Sequence, residues 1–114
     1  MTAASDDFVA VVALDDLPVD APHAARVNGR PVVVVRLSDG SVRAVSANCP
    51  HALGDLGEGL LVRDQIICPQ HHYRYDLRSG ACLHPRGEGG RLTPYPVEIR
   101  GGMVWVQAPA PAWW

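Results

Sequence analysis

The sequence carries the motif Cys49-Pro50-His51 and, after sixteen further residues, the motif Cys68-Pro69-Gln70-His71. Each motif holds one thiol and one imidazole close together, and these side chains bind zinc and iron in proteins. The stretch from Cys49 to about Pro85 contains all three cysteines and four of the five histidines. Binding chemistry is usually found in such loops between strands. The candidate metal ligands are therefore Cys49, His51, Cys68 and His71.

Two kinds of metal centre accept two cysteines and two histidines. A structural zinc ion binds four such ligands, but zinc fingers group them as a cysteine pair followed by a histidine pair. In this chain each motif supplies one cysteine and one histidine. This interleaving suits two metals, with both cysteines on one and both histidines on the other. In a Rieske [2Fe-2S] centre, two histidines replace two cysteines on one iron in this way.

The segment from Cys68 to Gly80, Cys-Pro-Gln-His-His-Tyr-Arg-Tyr-Asp-Leu-Arg-Ser-Gly, resembles the second cluster-binding loop of Rieske ferredoxins and oxygenase Rieske domains. Cys49-Pro50-His51 is similar to the first loop, and Phe8 to Leu17 resembles the opening strand of the family. The resemblance extends from about residue 7 to residue 107. It implies one [2Fe-2S] cluster per chain, held by Cys49, His51, Cys68 and His71.

Some positions distinguish this chain from the Rieske proteins of respiratory complexes. Those proteins have a disulfide between the two loops, and the matching positions here are Gly54 and Gln70. A serine that bonds a cluster sulfide there is Tyr73 here, whereas Tyr75 matches a tyrosine that bonds a ligand sulfur. His72 stands where the family usually has glycine. The resemblance implies a potential in the lower part of the Rieske range, which spans roughly −150 to +300 mV.

The rest of the chain predicts an antiparallel all-β sandwich or open barrel. Eleven glycines and ten prolines divide it into short segments with almost no helical period. The predicted strands are Phe8–Leu14, Val32–Leu37, Ser41–Ser46, Tyr95–Arg100 and Met103–Gln107. Predicted turns lie at Asn28-Gly29, Ser38-Asp39-Gly40 and Gly101-Gly102. Because Val32–Leu37 is apolar on both faces, we expect it to be a central strand.

We expect a single Rieske domain over residues 1–107, with a cluster-binding subdomain at about residues 47–86. Residues 108–114 form a Pro/Ala tail that ends in Trp113-Trp114, and we place this tail outside the core. Cys82 is interpreted as a small buried thiol rather than a ligand. Asp76 and Ser79-Gly80 are typical of a turn. Four arginines follow the loops and either surround a docking face or are simply solvated: Arg74, Arg78, Arg86 and Arg91.

Composition excludes several classes of protein. The chain has 114 residues, a net charge of −2 and no lysine, so a nucleic-acid partner is not indicated. The acidic N-terminus does not resemble a signal peptide, and no apolar run is long enough for a membrane span. Three cysteines cannot pair evenly, which favours a reducing cytoplasm over a secreted disulfide framework.

The main functional hypothesis is an electron-carrier ferredoxin that passes electrons from a flavin reductase to an oxygenase or another redox enzyme. An alternative is a permanently bound electron-transfer subunit of a larger complex, such as a hydrogenase or a nitrite-reductase-like enzyme. A third hypothesis is a redox sensor. The sequence contains no facial triad for a mononuclear iron and no glycine-rich dinucleotide fingerprint. We therefore expect no turnover of an organic substrate by the chain itself.

Overall fold

The computed structural model describes residues 8–19, 21–49, 55–70, 72–86 and 90–109. These residues form eleven strands and two short 3-10 turns, Leu14–Asp16 and Leu56–Glu58. The strands are β1 (Phe8–Ala13), β2 (His23–Val27), β3 (Arg30–Arg36), β4 (Val42–Ser46), β5 (Leu60–Val62), β6 (Gln65–Ile67), β7 (Arg74–Asp76), β8 (Cys82–His84), β9 (Pro94–Tyr95), β10 (Val97–Arg100) and β11 (Met103–Gln107). In this described part of the chain, no helix has the length and apolarity needed to cross a membrane.

The strands form three antiparallel sheets. Their orders are β1-β11-β10, β2-β3-β4-β9 and β5-β6-β7-β8. We call the third sheet the cluster sheet. Its first two strands precede Cys68 in the chain, and its last two strands follow it. The predicted all-β antiparallel class is confirmed.

The β2–β3 hairpin forms where the sequence predicts it. Asn28 and Gly29 have φ angles of 54° and 83°, so both turn residues occupy the left-handed region that asparagine and glycine tolerate best. The turn pairs Val27 with Arg30 and thereby sets the register of the hairpin. As predicted, β3 is central, because β2 and β4 flank it.

The apolar character of β3 on both faces has a structural reason. Successive side chains of a strand point to opposite faces. Val33 and Val35 enter the core that contains both motif cysteines, whereas Val32 and Val34 enter the core shared with β1 and β11. Burial of each side chain contributes roughly 1.5–3 kcal/mol. This strand therefore joins the two cores.

Two expectations about the C-terminal part differ from the structure. The predicted strand Tyr95–Arg100 is divided at Pro96: Tyr95 pairs with Ala44 in one sheet, and Val97 pairs with Val106 in another. Proline lacks a backbone N–H, so it interrupts the ladder at the point where the chain changes sheets. Ala108, assigned to the tail, is fully buried, and its carbonyl accepts a 2.7 Å hydrogen bond from Asn28. Residues 110–114 lie outside the described residues.

Arg78 ties the cluster sheet to the hairpin between β3 and β4. Its guanidinium lies 2.9 Å from the carboxylate of Asp64 and 3.1 Å from that of Asp39. Asp64 also accepts hydrogen bonds from the amide and the hydroxyl of Ser38. Arg78 is therefore engaged within the chain, and of the four arginines it is the least suited to a docking face.

Candidate metal centre

Each motif cysteine begins a loop whose base is closed by backbone pairing. Cys49 follows β4, and the bridge between Asn48 and Asp55 closes the loop after it. Cys68 follows β6, and its amide donates a 2.8 Å hydrogen bond to the carbonyl of Tyr73. Both thiols thus sit at fixed positions where a strand ends and a loop begins.

The thiols of Cys49 and Cys68 are buried in the same core and form no disulfide. The Sγ atom of Cys68 accepts a hydrogen bond from the amide of Gln70 at 3.4 Å. Burial, together with the adjoining Cys49 thiol, raises the pKa of Cys68 to about 11. The Cys68 thiol therefore stays protonated at neutral pH until a cation displaces its proton, as metal binding to a thiol requires.

Tyr75 completes this buried group from the middle of β7. Its side chain is 0% exposed, and its hydroxyl oxygen lies 3.7 Å from the Sγ atom of Cys49. Burial and the nearby thiol of Cys49 raise the pKa of Tyr75, so the phenol stays protonated and able to donate. Tyr75 thus faces the sulfur of Cys49, one of the candidate metal ligands.

Cys82 is the third thiol of this core. It is buried on β8 opposite Tyr75, and its Sγ atom donates a 3.3 Å hydrogen bond to the carbonyl of Pro85. The predicted small buried thiol is confirmed. Cys82 therefore has a hydrogen-bond partner within its own loop.

The two motif histidines, His51 and His71, lie outside the described residues. Within the described ranges, no group of three or more His, Cys, Asp or Glu side chains is placed to hold a metal ion. The described part therefore supplies a sulfur pair, and further ligands must come from other residues. A buried thiol pair suits an iron–sulfur group, because thiolate sulfur is the ligand that such clusters require.

His72 has an unusual backbone conformation. It is exposed and has a φ angle of 60°, in the left-handed region that glycine adopts with the least strain. This conformation suits the glycine that the resemblance implies at the position.

Two residues that support the loops were not singled out from the sequence. Asp55 accepts a 2.8 Å hydrogen bond from the amide of Gly57, which starts the second 3-10 turn. Gly59 packs directly against the carbonyl of Ile67, the residue before Cys68. The Asp-Leu-Gly-Glu-Gly sequence at residues 55–59 signals a turn, but only the structure shows that this turn supports a motif loop.

A family model described as the Rieske [2Fe-2S] domain matches residues 7–96. Among curated proteins, the oxygenase component of dicamba O-demethylase from Stenotrophomonas maltophilia is 32% identical over 108 residues. That alignment covers 90% of this chain and 32% of the relative. The chain therefore spans about a third of the length of this relative.

Solved structures show the same likeness. The ferredoxin of carbazole 1,9a-dioxygenase from Nocardioides aromaticivorans IC177 superposes with a TM-score of 0.79 at 35% identity, covering 90% of this chain and 98% of that one. A chain of a complex of reduced oxygenase and oxidised ferredoxin in carbazole 1,9a-dioxygenase gives a TM-score of 0.77 at 28% identity, covering 86% and 99%. With its paired buried thiols on two loops of an antiparallel scaffold, the chain belongs to the Rieske [2Fe-2S] domain family, and its cofactor is a [2Fe-2S] cluster.

Proposed function

We propose that Cys49 and Cys68 bind one iron of the cluster and that His51 and His71 bind the other. The adjoining buried thiols of Cys49 and Cys68 support the first half of this assignment. The Cys-x-His and Cys-x2-His spacings support the second half, since each histidine follows its cysteine within the same short loop. The cluster-binding subdomain then extends over about residues 47–86.

From this site we infer a one-electron carrier that accepts electrons from a flavin reductase and delivers them to an oxygenase or another redox enzyme. The observation that carries the proposal is the buried thiol pair beside Tyr75 in a fold that superposes on nearly the full length of dioxygenase ferredoxins. When bound, a cluster of this kind supplies reversible one-electron chemistry. The chain itself performs no conversion of an organic substrate, and its buried thiols, which form no disulfide, favour a reducing cytoplasm.

The residues of the site have separate tasks in this function. Cys49 and Cys68 hold the cluster at the ends of rigid strands. Once Cys49 is a thiolate its sulfur can only accept, so the Tyr75 hydroxyl, 3.7 Å away, would donate to it and stabilise added negative charge there. The apolar core around Cys49 and Cys68 excludes water from their sulfur atoms.

Reconstituted electron transfer tests the proposal. The cluster-loaded chain, mixed with a purified ferredoxin reductase, NADH and an oxygenase component, should support oxygenase turnover in proportion to its concentration. The Cys68→Ala variant should not, whereas Cys82→Ala should, because only the latter leaves the proposed ligands intact. A cluster that forms but cannot be reduced and reoxidised by any protein partner would contradict the carrier function.

A bound subunit of a larger oxidoreductase is the second candidate. It is favoured by exposed apolar side chains on β5, since Leu60 is 66% exposed and Val62 is 44% exposed. Gel filtration of the native protein separates the two candidates: a carrier elutes alone, and a subunit elutes with its enzyme.

A further inference from the structure

The cluster sheet has an outer face that turns away from the core. Leu61, Ile66, Tyr75 and Cys82 form one row of cross-strand neighbours on the inner face. The next row, on the outer face, consists of Leu60, Ile67, Arg74 and His84. Because side chains alternate along each strand, Leu60, Ile67 and Arg74 point away from the buried thiols. On β8 the pairing has a β-bulge between the Arg74–His84 and Tyr75–Cys82 pairs, and His84 is exposed and lines one hollow together with Arg74.

One half of the outer face is apolar. Leu60 and Val62 lie on the edge strand β5 and are largely exposed, and Ile67 is the cross-strand partner of Leu60. None of the three belongs to either core. A cluster of exposed apolar side chains on a sheet face is typical of a protein-binding surface rather than of a solvated one.

The other half of the outer face offers one cation and neighbouring hydrogen-bonding side chains. Gln65, Arg74, Leu83 and His84 line an open hollow of about 380 Å³. No carboxylate lines this hollow among the described residues, and Arg74 forms no ion pair there. A hollow with a guanidinium, an imidazole and an amide fits a carboxylate group.

Two acidic residues, Asp64 and Asp76, line an adjoining hollow that shares Gln65 and Leu83, and both are already engaged within the chain. Asp64 accepts from Arg78 and from Ser38. Asp76 accepts from the amide of Arg78 and the hydroxyl of Ser79. Since these carboxylates have their own donors, the cation of Arg74 remains available to a partner.

The outer face also lies next to the metal centre along the chain. Ile67 immediately precedes Cys68, and Arg74 immediately follows Tyr73, whose carbonyl closes the Cys68 loop. A protein seated on this row therefore lies against the two chain segments that hold Cys68 in place.

We propose that the outer face of the cluster sheet is a docking surface for a redox protein that presents carboxylates beside an apolar patch. The carboxylates bind at Arg74 and His84, and the apolar side chains pack on Leu60 and Val62. The inference deepens the proposed electron-carrier function by defining the chemistry of the partner, and it rests on that function.

A small acidic blue-copper protein serves as the test partner, and basic cytochrome c serves as the probe of opposite charge. Stopped-flow mixing measures electron transfer from the reduced, cluster-loaded protein at low ionic strength. Calorimetry measures binding of the oxidised copper protein without electron transfer. We expect Arg74→Glu to lower both the binding constant and the transfer rate for the acidic probe about tenfold, because charge complementarity speeds association. Arg74→Gln should act in the same direction by a smaller factor.

Matched variants elsewhere on the surface provide the controls. Arg26→Glu makes the same charge change on β2, in another sheet, and should alter either quantity less than twofold. Leu60→Ser should weaken binding, whereas Val19→Ser, at a valine that is 67% exposed, should not. Cytochrome c should bind Arg74→Glu no more weakly than the unmodified protein.

The two measurements separate this inference from the proposed function. The docking surface is overturned if Arg74→Glu and Arg26→Glu change the binding constant equally. It is also overturned if Leu60→Ser and Val19→Ser change it equally. A different outcome separates the two ideas. If the unmodified protein binds the copper protein, the variants bind it more weakly as predicted, and no electron is transferred, the docking surface is supported and the carrier function is contradicted.

Discussion

The hydroxyl oxygen of Tyr75 lies 3.7 Å from the Sγ atom of Cys49, inside a core that excludes water. Tyr75 pairs in its strand with Ile66 on one side and Cys82 on the other, and its fully buried ring is held in place by the packing around it. A donor held at this distance favours the state in which the sulfur carries more negative charge. The pair therefore links a structural core residue to the electron affinity of the site.

Replacing Tyr75 by phenylalanine should lower the reduction potential. The change removes one hydrogen bond of about 1 kcal/mol, which corresponds to about 40 mV for one electron. Protein-film voltammetry measures the shift. A Tyr95→Phe variant, on β9 in another sheet, is the control and should leave the potential unchanged. An unchanged potential in Tyr75→Phe would show that the 3.7 Å contact does not act on the cluster.

Substitution of the four proposed ligands should abolish the cluster. Purified protein should contain about two irons and two acid-labile sulfides per chain, as a [2Fe-2S] centre requires. Alanine at Cys49, His51, Cys68 or His71 should remove both. Alanine at Cys82 or His72 should leave both in place, and metal and sulfide analysis distinguishes the outcomes. One zinc per chain without sulfide, in protein made with ample iron, would refute the ligand assignment.

Gly59→Ala should destabilise the protein and its cluster together. A methyl group at this position would collide with the carbonyl oxygen of Ile67, which is backbone and cannot rotate aside. Forcing such a shift costs about 1–3 kcal/mol, and the displaced strand leads directly into Cys68. Denaturant unfolding and the rate of iron loss to a chelator measure the two effects. Glu58→Ala, at the exposed neighbouring position, should change neither; equal behaviour of the two variants would contradict the packing role of Gly59.

Acid should weaken the contact between the cluster sheet and the β3–β4 hairpin. The hydroxyl of Ser41, followed by its amide and by Arg78, lowers the pKa of Asp39, and the amide of Ser38, with Arg78, lowers the pKa of Asp64. As the pH falls, the two carboxylates take up protons at a higher pH in the unfolded chain than in the folded chain. Their contributions to stability are therefore present above about pH 4 and are lost as the pH falls further.

Removing Arg78 tests this pH dependence. The Arg78→Ala variant should show a smaller loss of unfolding free energy between pH 5 and pH 2, because one shared cause of both pKa shifts is gone. Urea unfolding at each pH gives the values. Arg74→Ala is the control, since Arg74 has no acidic partner in the described part of the chain. Identical acid profiles for the two variants would show that the ion pairs contribute nothing.

The sequence predicted those β-strands and turns that are specified by the residues at the turn itself and in the strands next to it. Asn28-Gly29 and Gly101-Gly102 define hairpins through the backbone freedom of the turn residues themselves, and the flanking strands follow. The division of 94–100 between two sheets was not predicted. Tyr95 and Val97 belong to the same alternating apolar pattern in the sequence. Tyr95 pairs with Ala44 and Val97 pairs with Val106, and only these distant partners place the two residues in different sheets.

The sequence by itself determined the chemical class of the centre, because the kinds of ligand and their spacing within each motif are local properties of the chain. It also selected Tyr75 and set Cys82 apart from the ligands. The tertiary structure alone brought Cys49 and Cys68 into one buried core and pointed Tyr75 at the sulfur. It also turned Leu60 and Arg74 to the opposite face. Strand alternation by itself allows either face of the cluster sheet to be buried. The register between the strands decides which face is buried, and this register is a long-range property.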